Sequence, residues 1–303
     1  MTKSCDVVHT GPVLSEHGEY SIITCETCGF AHCLPIPPPE ELSAVYAEEY
    51  YSSVKPDYIR RVETDRAWHD LVSIQRLDRL EALTTGRRLL EVGSSSGFFL
   101  DVARKRGWDV QGFEPSRQAW QYSTEILALP VYNEFFSEET ARSIGSFDAI
   151  YLALVLEHVP DPLSLMRVVK SCLNPGGAVC VAVPNDFSVI QRNYHEKLGG
   201  RCYWLAPPHH INYFSHESLK KMLTACGFIH SSYVDSSFPL DFALLMGLDY
   251  TDDAALGRKC HSFRMSFEKC LDDCGFSEFR TELYALFAKH GIGREVIIYA
   301  TRP

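Results

Sequence analysis

The sequence predicts an α/β protein in which seven strands form one sheet with helices on both faces. Three observations carry this reading. From residue 86 onward, apolar runs of strand length alternate with segments of helical spacing, as in strands linked by crossover helices. The runs end repeatedly in Gly, Pro, Asn or Asp, the residues that punctuate turns. The 303 residues are 46% hydrophobic and 22% charged, the composition of a chain that folds around a core.

Taken in order, the first break is Pro35-Ile36-Pro37-Pro38-Pro39, which separates a Cys/His-rich head, residues 1–36, from the rest. Glu40 to Tyr51 reads as a short helical stretch. Val62 to Leu83 reads as a longer helix, with Trp68, Leu71, Val72, Leu77, Leu80 and Leu83 at helical spacing. Residues 37–85 are therefore expected to form a helical linker and cap, and 86–303 the main domain. Within it, Arg88 to Gly93 is a buried strand, Gly97 to Arg106 a helix, Asp109 to Glu114 a second strand and Arg117 to Leu127 a second helix. Val131-Tyr132 is a short third strand and Phe147 to Leu156 an apolar fourth. Asp161 suits an N-cap with Pro162 at the first helical position, so a helix runs to about Leu173 and stops at Asn174-Pro175-Gly176-Gly177. Ala178 to Val183 is the fifth strand, Ser215 to Ala225 a helix, Phe228 to Val234 the sixth strand and Glu295 to Thr301 the last. Segments 185–214 and 236–293 interrupt the alternation. Long insertions in compact domains are usually lids or binding loops, so both are expected to cap the site.

The formal net charge of −10, without a basic run, argues against nucleic acid as a partner. Residues 1–8 lack the apolar stretch of a signal peptide and no apolar run is long enough to span a bilayer, so a cytoplasmic location is expected. Among eleven cysteines, Cys172, Cys180 and Cys226 fall in apolar patterns and read as buried, reduced thiols.

Ligands of such sheets bind at the carboxyl ends of the strands. Leu89-Leu90-Glu91-Val92-Gly93-Ser94-Ser95-Ser96-Gly97 ends a strand with an acid and small residues before a helix opens. Gly93 permits backbone conformations closed to side chains, and the helix start offers free N–H groups. Gly112-Phe113-Glu114-Pro115 ends the next strand, seventeen residues beyond Gly97, where a carboxylate can accept both hydroxyls of a ribose. Asn133-Glu134 ends the third strand, where an adenine edge would lie. Leu154-Val155-Leu156-Glu157-His158-Val159-Pro160-Asp161-Pro162 ends the fourth. A nicotinamide dehydrogenase needs Gly-X-Gly-X-X-Gly facing a pyrophosphate; here three residues separate the two Gly and no third follows.

This set resembles the class I S-adenosylmethionine-dependent methyltransferases, specifically the ubiquinone-biosynthesis-like branch, over roughly residues 86–234. The resemblance rests on the acidic-X-Gly-X-X-X-Gly turn, the acid of the second strand, the Glu-His-Val-X-Asp-Pro segment and Leu-X-Pro-Gly-Gly. It implies a Rossmann-like sheet and a pocket for S-adenosylmethionine built from Glu91, Gly93, Ser95, Gly97, Phe113, Glu114, Asn133, Glu134 and Leu154, with Ser95 standing where the family turn commonly has Gly. The acceptor is expected to be a small molecule, possibly a sugar or nucleotide-linked sugar.

Methyl transfer requires the acceptor to be aligned and, often, deprotonated. His158 follows the fourth strand, and Trp204-Leu205-Ala206-Pro207-Pro208-His209-His210-Ile211-Asn212-Tyr213-Phe214 precedes a helix. By resemblance to sugar C-methyltransferases of this branch, His158, His210 and Tyr213 are expected to do acid–base work, with His209 able to exchange roles with His210. Arg258, Arg264 and Arg294 are either surface charges or partners for an anionic substrate.

In the head, Cys25-Glu26-Thr27-Cys28-Gly29 is half of a zinc knuckle, and Cys5 with His9 is the natural other half. His17, His32 and Cys33 compete for the fourth position. The expected zinc is structural, since four protein ligands leave no open position. The head also resembles the N-terminal metal module of sugar C-methyltransferases. The alternative to an enzyme is an inactive, cofactor-binding scaffold that recruits a partner through this head.

Overall fold

In the computed structural model, which describes residues 8–47, 57–195, 197 and 199–303, the head forms an antiparallel sheet. Its strands are β1 (Val13–His17), β2 (Tyr20–Thr24) and β3 (Ala31–Leu34). Ile22 and Cys33 are cross-strand partners and both are fully buried. α1 (Pro39–Ala44) follows, with proline in its first turn. The single helix expected over 62–83 is instead two, α2 (Tyr58–Thr64) and α3 (Arg66–Leu83). They break at Asp65, whose ψ of 14° lies outside the helical well.

The main domain runs β4 (Arg88–Val92), α4 (Phe98–Lys105), β5 (Asp109–Phe113), α5 (Arg117–Gln121), β6 (Val131–Tyr132), α6 (Glu138–Ala141), β7 (Phe147–Ala153) and α7 (Pro162–Cys172). As expected, the Asp161 side chain caps α7, accepting from the Ser164 N–H at 2.9 Å. β8 (Leu173–Pro184) starts five residues earlier than its apolar run indicates, because Leu173 already pairs with Phe147. A Cβ at Gly177 would meet the Asn174 carbonyl at 2.8 Å, so only glycine fits that approach. Then come α8 (Val189–His195), β9 (Asn212–Tyr213), α9 (His216–Ala225), β10 (Ile229–Ser236), α10 (Phe242–Leu245), α11 (Ala254–Asp273), α12 (Ser277–Lys289) and β11 (Glu295–Thr301).

The seven-stranded sheet has the order β10-β11-β8-β7-β4-β5-β6. It is mixed rather than wholly parallel. The insertion 236–293 returns the chain so that β11 runs antiparallel to both neighbours, β8 and β10. Alternate residues of each strand feed opposite faces. Ile150 and Leu152 of β7 join Leu90, Val181 and Val183 in a core closed by α7 and α9, while Ala149 and Tyr151 join Leu89, Cys180 and Tyr299 beneath α3 and α4. Cys172, Cys180 and Cys226 are buried free thiols, as their apolar setting indicates, and burial pushes Cys180 up to about 12.

The head does not end at residue 36. β9, from the first cap, is its fourth strand, with Ala31 opposite Tyr213 and His32 opposite Asn212. A third core of Ile22, Cys33, Leu42, Trp204, Leu205, Ile211 and Tyr213 joins head, linker and cap. Among the described residues, no helix is long and apolar enough to cross a membrane.

Because Leu152 is fully enclosed in the central strand pair, Leu152→Ala is expected to lower unfolding free energy by about 2–5 kcal/mol. Urea denaturation followed by circular dichroism measures this. A loss below about 1 kcal/mol would show that the sheet is not the core.

Candidate active site

Three non-glycine residues with positive φ stand just after the carboxyl ends of three neighbouring strands. They are Ser95 (49°) after β4, Leu154 (56°) after β7 and Phe187 (54°) after β8. Such backbone is strained for a side chain, and strain of this kind concentrates where a site is built. Sequence reading places Ser95 and Leu154 here but misses Phe187, whose conformation has no glycine to announce it.

The turn after β4 is a close cradle. Gly93 has φ +73°, and a Cβ there would meet Val155 Cγ2 at 2.6 Å; at Gly97, φ +81°, it would meet Leu129 Cδ1 at 2.6 Å. The Gly93 and Ser94 N–H groups both donate to the Phe113 carbonyl at 2.9 Å. The Phe113 ring itself is fully buried in the core and stacked on Tyr132, so Phe113 serves the site through its backbone, not through a ring facing a ligand. Glu114 Oε2 accepts from the Ser95 N–H at 2.7 Å and Oε1 from the Ser116 N–H at 2.9 Å. Burial raises the Glu114 carboxyl to about 7, against the pull of those two donors. Burial, with the charge of Glu114, also holds Glu91 well above the usual carboxylate range, and Glu91 Oε2 has no hydrogen-bond partner. Asn133 Nδ2 donates to the Glu114 and Pro115 carbonyls at 3.0 and 2.9 Å, bracing the corner; Glu134 is exposed beside it. Leu154 is half-exposed, its N–H anchored on the Ala182 carbonyl at 2.9 Å. A buried cradle with two acidic side chains suits a ligand that brings hydroxyl and ammonium donors.

Beyond β7, residues 156–158 make one tight turn that β9 holds in place. The Ile211 N–H donates to the Glu157 carbonyl at 2.8 Å, and Asn212 Nδ2 donates to the Leu156 and Val159 carbonyls at 2.8 and 2.7 Å. His158 Nδ1 lies 2.8 Å from the His209 carbonyl and 2.7 Å from the Tyr46 hydroxyl, which is itself 2.9 Å from the same carbonyl. Protonating Nδ1 satisfies all three atoms: Nδ1–H donates to the carbonyl and the phenol oxygen, and the phenol donates to the carbonyl. The other tautomer would set the Nδ1 lone pair against the carbonyl oxygen. Nε2 is then the basic nitrogen, 3.8 Å from Glu157 Oε1. The His210 ring stands edge-on to His158 at 4.9 Å. Tyr213 is buried, and its hydroxyl donates to the His210 carbonyl at 2.8 Å, so it braces this loop. Glu157, His158 and His210 present ligand atoms all within 4.8 Å of one another, a set able to move protons or to hold a divalent cation. Tyr46 is the residue that sequence reading overlooks, because nothing local ties residue 46 to residue 158.

In the head, His9 Nδ1 lies 3.6 Å from Cys25 Sγ and 3.4 Å from Cys28 Sγ, and His32 completes a group whose ligand atoms all fall within 4.8 Å of one another. A zinc tetrahedron with bonds of about 2.3 Å to sulfur and 2.0 Å to nitrogen has S–N edges of about 3.5 Å, so the spacing fits that metal. His32 Nδ1 donates to the Cys33 carbonyl at 3.2 Å, leaving Nε2, buried and without a hydrogen-bond partner, as the ligand atom. Burial, with His9 nearby, lowers the pKa of His32 and keeps it neutral. Cys5 lies outside the described residues. Of the arginines, Arg258 is exposed and Arg294 pairs with Asp241 at 3.2 Å, while Arg264 stacks on Trp68.

Comparison with known proteins bears on the family and the fold. Residues 63–229 match the family described as "Methyltransferase domain". The ubiquinone biosynthesis O-methyltransferase of Ralstonia nicotianae is 34% identical over 125 residues, 39% of this chain and 50% of that protein. The protein of the same name from Escherichia coli is 31% identical over 113 residues, 36% of this chain and 45% of that one. The chain thus spans half or less of these relatives' length. A crystal structure of a SAM-dependent methyltransferase from Archaeoglobus fulgidus superposes with a TM-score of 0.50 at 16% identity, covering 80% of this chain and 99% of that one; it shares the fold.

The raised Glu114 carboxyl sets a pH dependence. Its folded pKa of about 7 exceeds the ordinary 4.5, so its contribution to stability is full below about 4.5 and is lost as pH rises through 7. Ligand-free protein is expected to lose about 3 kcal/mol from this group between pH 4 and 8, with Glu91 acting in the same direction. Urea midpoints across that range should show a shallower fall in Glu114→Gln; an unchanged slope would rule the assignment out.

Proposed function

This chain belongs to the methyltransferase-domain family, and from that premise we propose that it methylates an oxygen of a small polar acceptor, a sugar or nucleotide-linked sugar, using S-adenosylmethionine. The observation that carries the reading is the pair of buried acids, Glu91 and Glu114, around the Gly93–Gly97 cradle at the ends of β4 and β5, with His158 following β7, the strand beside β4. The relatives' names, as O-methyltransferases, support oxygen as the nucleophile.

S-adenosylmethionine, when bound, supplies a methyl on a positively charged sulfur and departs as S-adenosylhomocysteine. Glu114, oriented by the Ser95 and Ser116 N–H groups, accepts the ribose hydroxyls. Glu91 and the Gly93 turn shape the methionine end, and Asn133 with Glu134 flanks the adenine. His158 Nε2 takes the hydroxyl proton of the acceptor, while Tyr46 and the His209 carbonyl hold the ring in the tautomer that puts the lone pair on Nε2. His210 stands beside it, and Tyr213 fixes the His210 backbone. His9, Cys25, Cys28 and His32 hold a structural zinc whose role is to keep the head folded.

Calorimetric titration with S-adenosylhomocysteine tests the reading. Micromolar binding by the wild type, weakened about ten-fold or more in Glu114→Ala, is expected. Absence of binding by folded, zinc-loaded protein would sink it. His158→Gln should retain that binding yet lose about 10²–10⁴ in turnover once an acceptor is in hand. Metal analysis should return one zinc per chain, and Cys28→Ser should lose it; a metal-free wild type, equally stable with and without chelator, would reject the zinc assignment.

A further inference from the structure

The head and the histidine turn meet across one pair of residues. In β3, His32 belongs to the metal-ligand group, and directly opposite it in β9 stands Asn212. Residues opposite one another in an antiparallel pair project to the same face of the sheet, with Cβ atoms about 4.5–5.5 Å apart. The His32 ring and the Asn212 amide are therefore neighbours on one face. Both residues are buried, at 2% and 4% exposure.

Both protons of the Asn212 amide are engaged on the turn that carries His158. Nδ2 donates to the Leu156 carbonyl at 2.8 Å and to the Val159 carbonyl at 2.7 Å, one at each end of that turn. Ile211 adds a backbone link. Its N–H donates to the Glu157 carbonyl at 2.8 Å, and its own carbonyl accepts from the Cys33 N–H of β3 at 2.9 Å. A single tight turn does not hold its shape alone, so its geometry is set by these outside donors.

The head, in turn, has little of its own to fix β3. Its strands β1 to β3 bury only Ile22, Ile23, His32 and Cys33. A unit so poor in core usually needs a metal or another staple. The ligand group supplies the place for one, because it brings His32 of β3 together with Cys25, Cys28 and His9. A metal bound there fixes β3, and β3 fixes the strand that presents Asn212 and Ile211 to the turn.

We propose that Asn212 is a positioning residue for His158, and that metal occupancy of the head regulates the site through it. The loaded head holds Asn212 against the turn; loss of the metal releases the turn and with it the His158 ring. The inference rests on the zinc and His158 assignments of the proposed function. Tyr46 and the His209 carbonyl select Nδ1–H only while the turn holds the ring against them, so release appears as loss of that tautomer.

The test is the imidazole nitrogen NMR spectrum of the full chain labelled with ¹⁵N-histidine, the His158 signals being assigned with His158→Gln. Zinc-loaded wild type is expected to show His158 as one tautomer, protonated at Nδ1. Removing the zinc with a chelator should turn this into a mixture of tautomers while S-adenosylhomocysteine still binds. Zinc-loaded Asn212→Ala should give the same mixture while His9 and His32 keep their metal-bound signals. An unchanged His158 signal in either sample overturns the proposal. So does collapse of the whole sheet on chelation, which would make the metal a staple of the entire fold. The two perturbations are independent, so a variant that fails to fold leaves the chelation result decisive. A wild type that binds no zinc, or that holds His158 protonated at Nε2 from the start, overturns the zinc or the base assignment and this proposal with it.

Discussion

The active-site architecture depends on a strand of two residues. β9 pairs with β3 of the head through Asn212 and Tyr213, while the Asn212 amide fastens the turn that carries His158 and the Ile211 N–H holds the Glu157 carbonyl. One residue further on, Phe214 bridges to Asn185 at the end of β8. Four consecutive residues therefore tie the metal-ligand head, the histidine turn and the first cap together. Each bond is a neutral hydrogen bond of modest net worth, but Asn212 itself is buried, so breaking its bond to the Leu156 carbonyl strands a polar group away from water.

This tie explains why a small head is joined to a sheet that could fold around its own two cores. Tyr46 reaches His158 from the linker just after the head, and its neighbour in sequence, Leu42, packs in the same apolar cluster as Ile22 and Cys33. The ligand group at His9, Cys25, Cys28 and His32 closes the far end of the same small sheet. The orientation of the His158 imidazole thus rests on the Tyr46 hydroxyl and the His209 carbonyl, the first of which lies outside the region that matches the methyltransferase family.

The main sheet was readable because its strands are apolar on both faces. Runs such as Phe147–Ala153 and Ala178–Val183 cannot be mistaken when helices cover both sides. The acid and glycine positions at the strand ends were readable for a related reason: Gly93 and Gly97 answer to backbone angles and close approaches that nothing else satisfies. The head strands were not readable. β1 is almost wholly exposed, so it carries no alternating signal. The antiparallel direction of β11 follows from where the 58-residue cap insertion returns the chain, a global matter that local pattern does not encode. The sequence names Phe113 without telling its ring from its carbonyl; in the structure the ring is buried and the carbonyl accepts from the Gly93 and Ser94 N–H groups.

Tyr46 and His32 show the limit most clearly. Tyr46 meets the His158 ring across 112 residues, whereas His32 meets the carbonyl of the next residue, and each contact bears on which nitrogen of an imidazole holds a proton. In His158 the carbonyl of His209 selects Nδ1–H and leaves the lone pair on Nε2; in His32 the carbonyl of Cys33 does the same. The two rings differ in the groups gathered around them: a carboxylate and a second imidazole in one case, two thiols and an imidazole in the other. A backbone carbonyl is the cheapest device for this purpose, since it cannot change charge with pH, and in both places β3, β9 and the loop before β9 supply it. The short antiparallel sheet and the loop leading into its last strand thus orient both histidine rings, so their integrity bears on the candidate site as directly as on the fold.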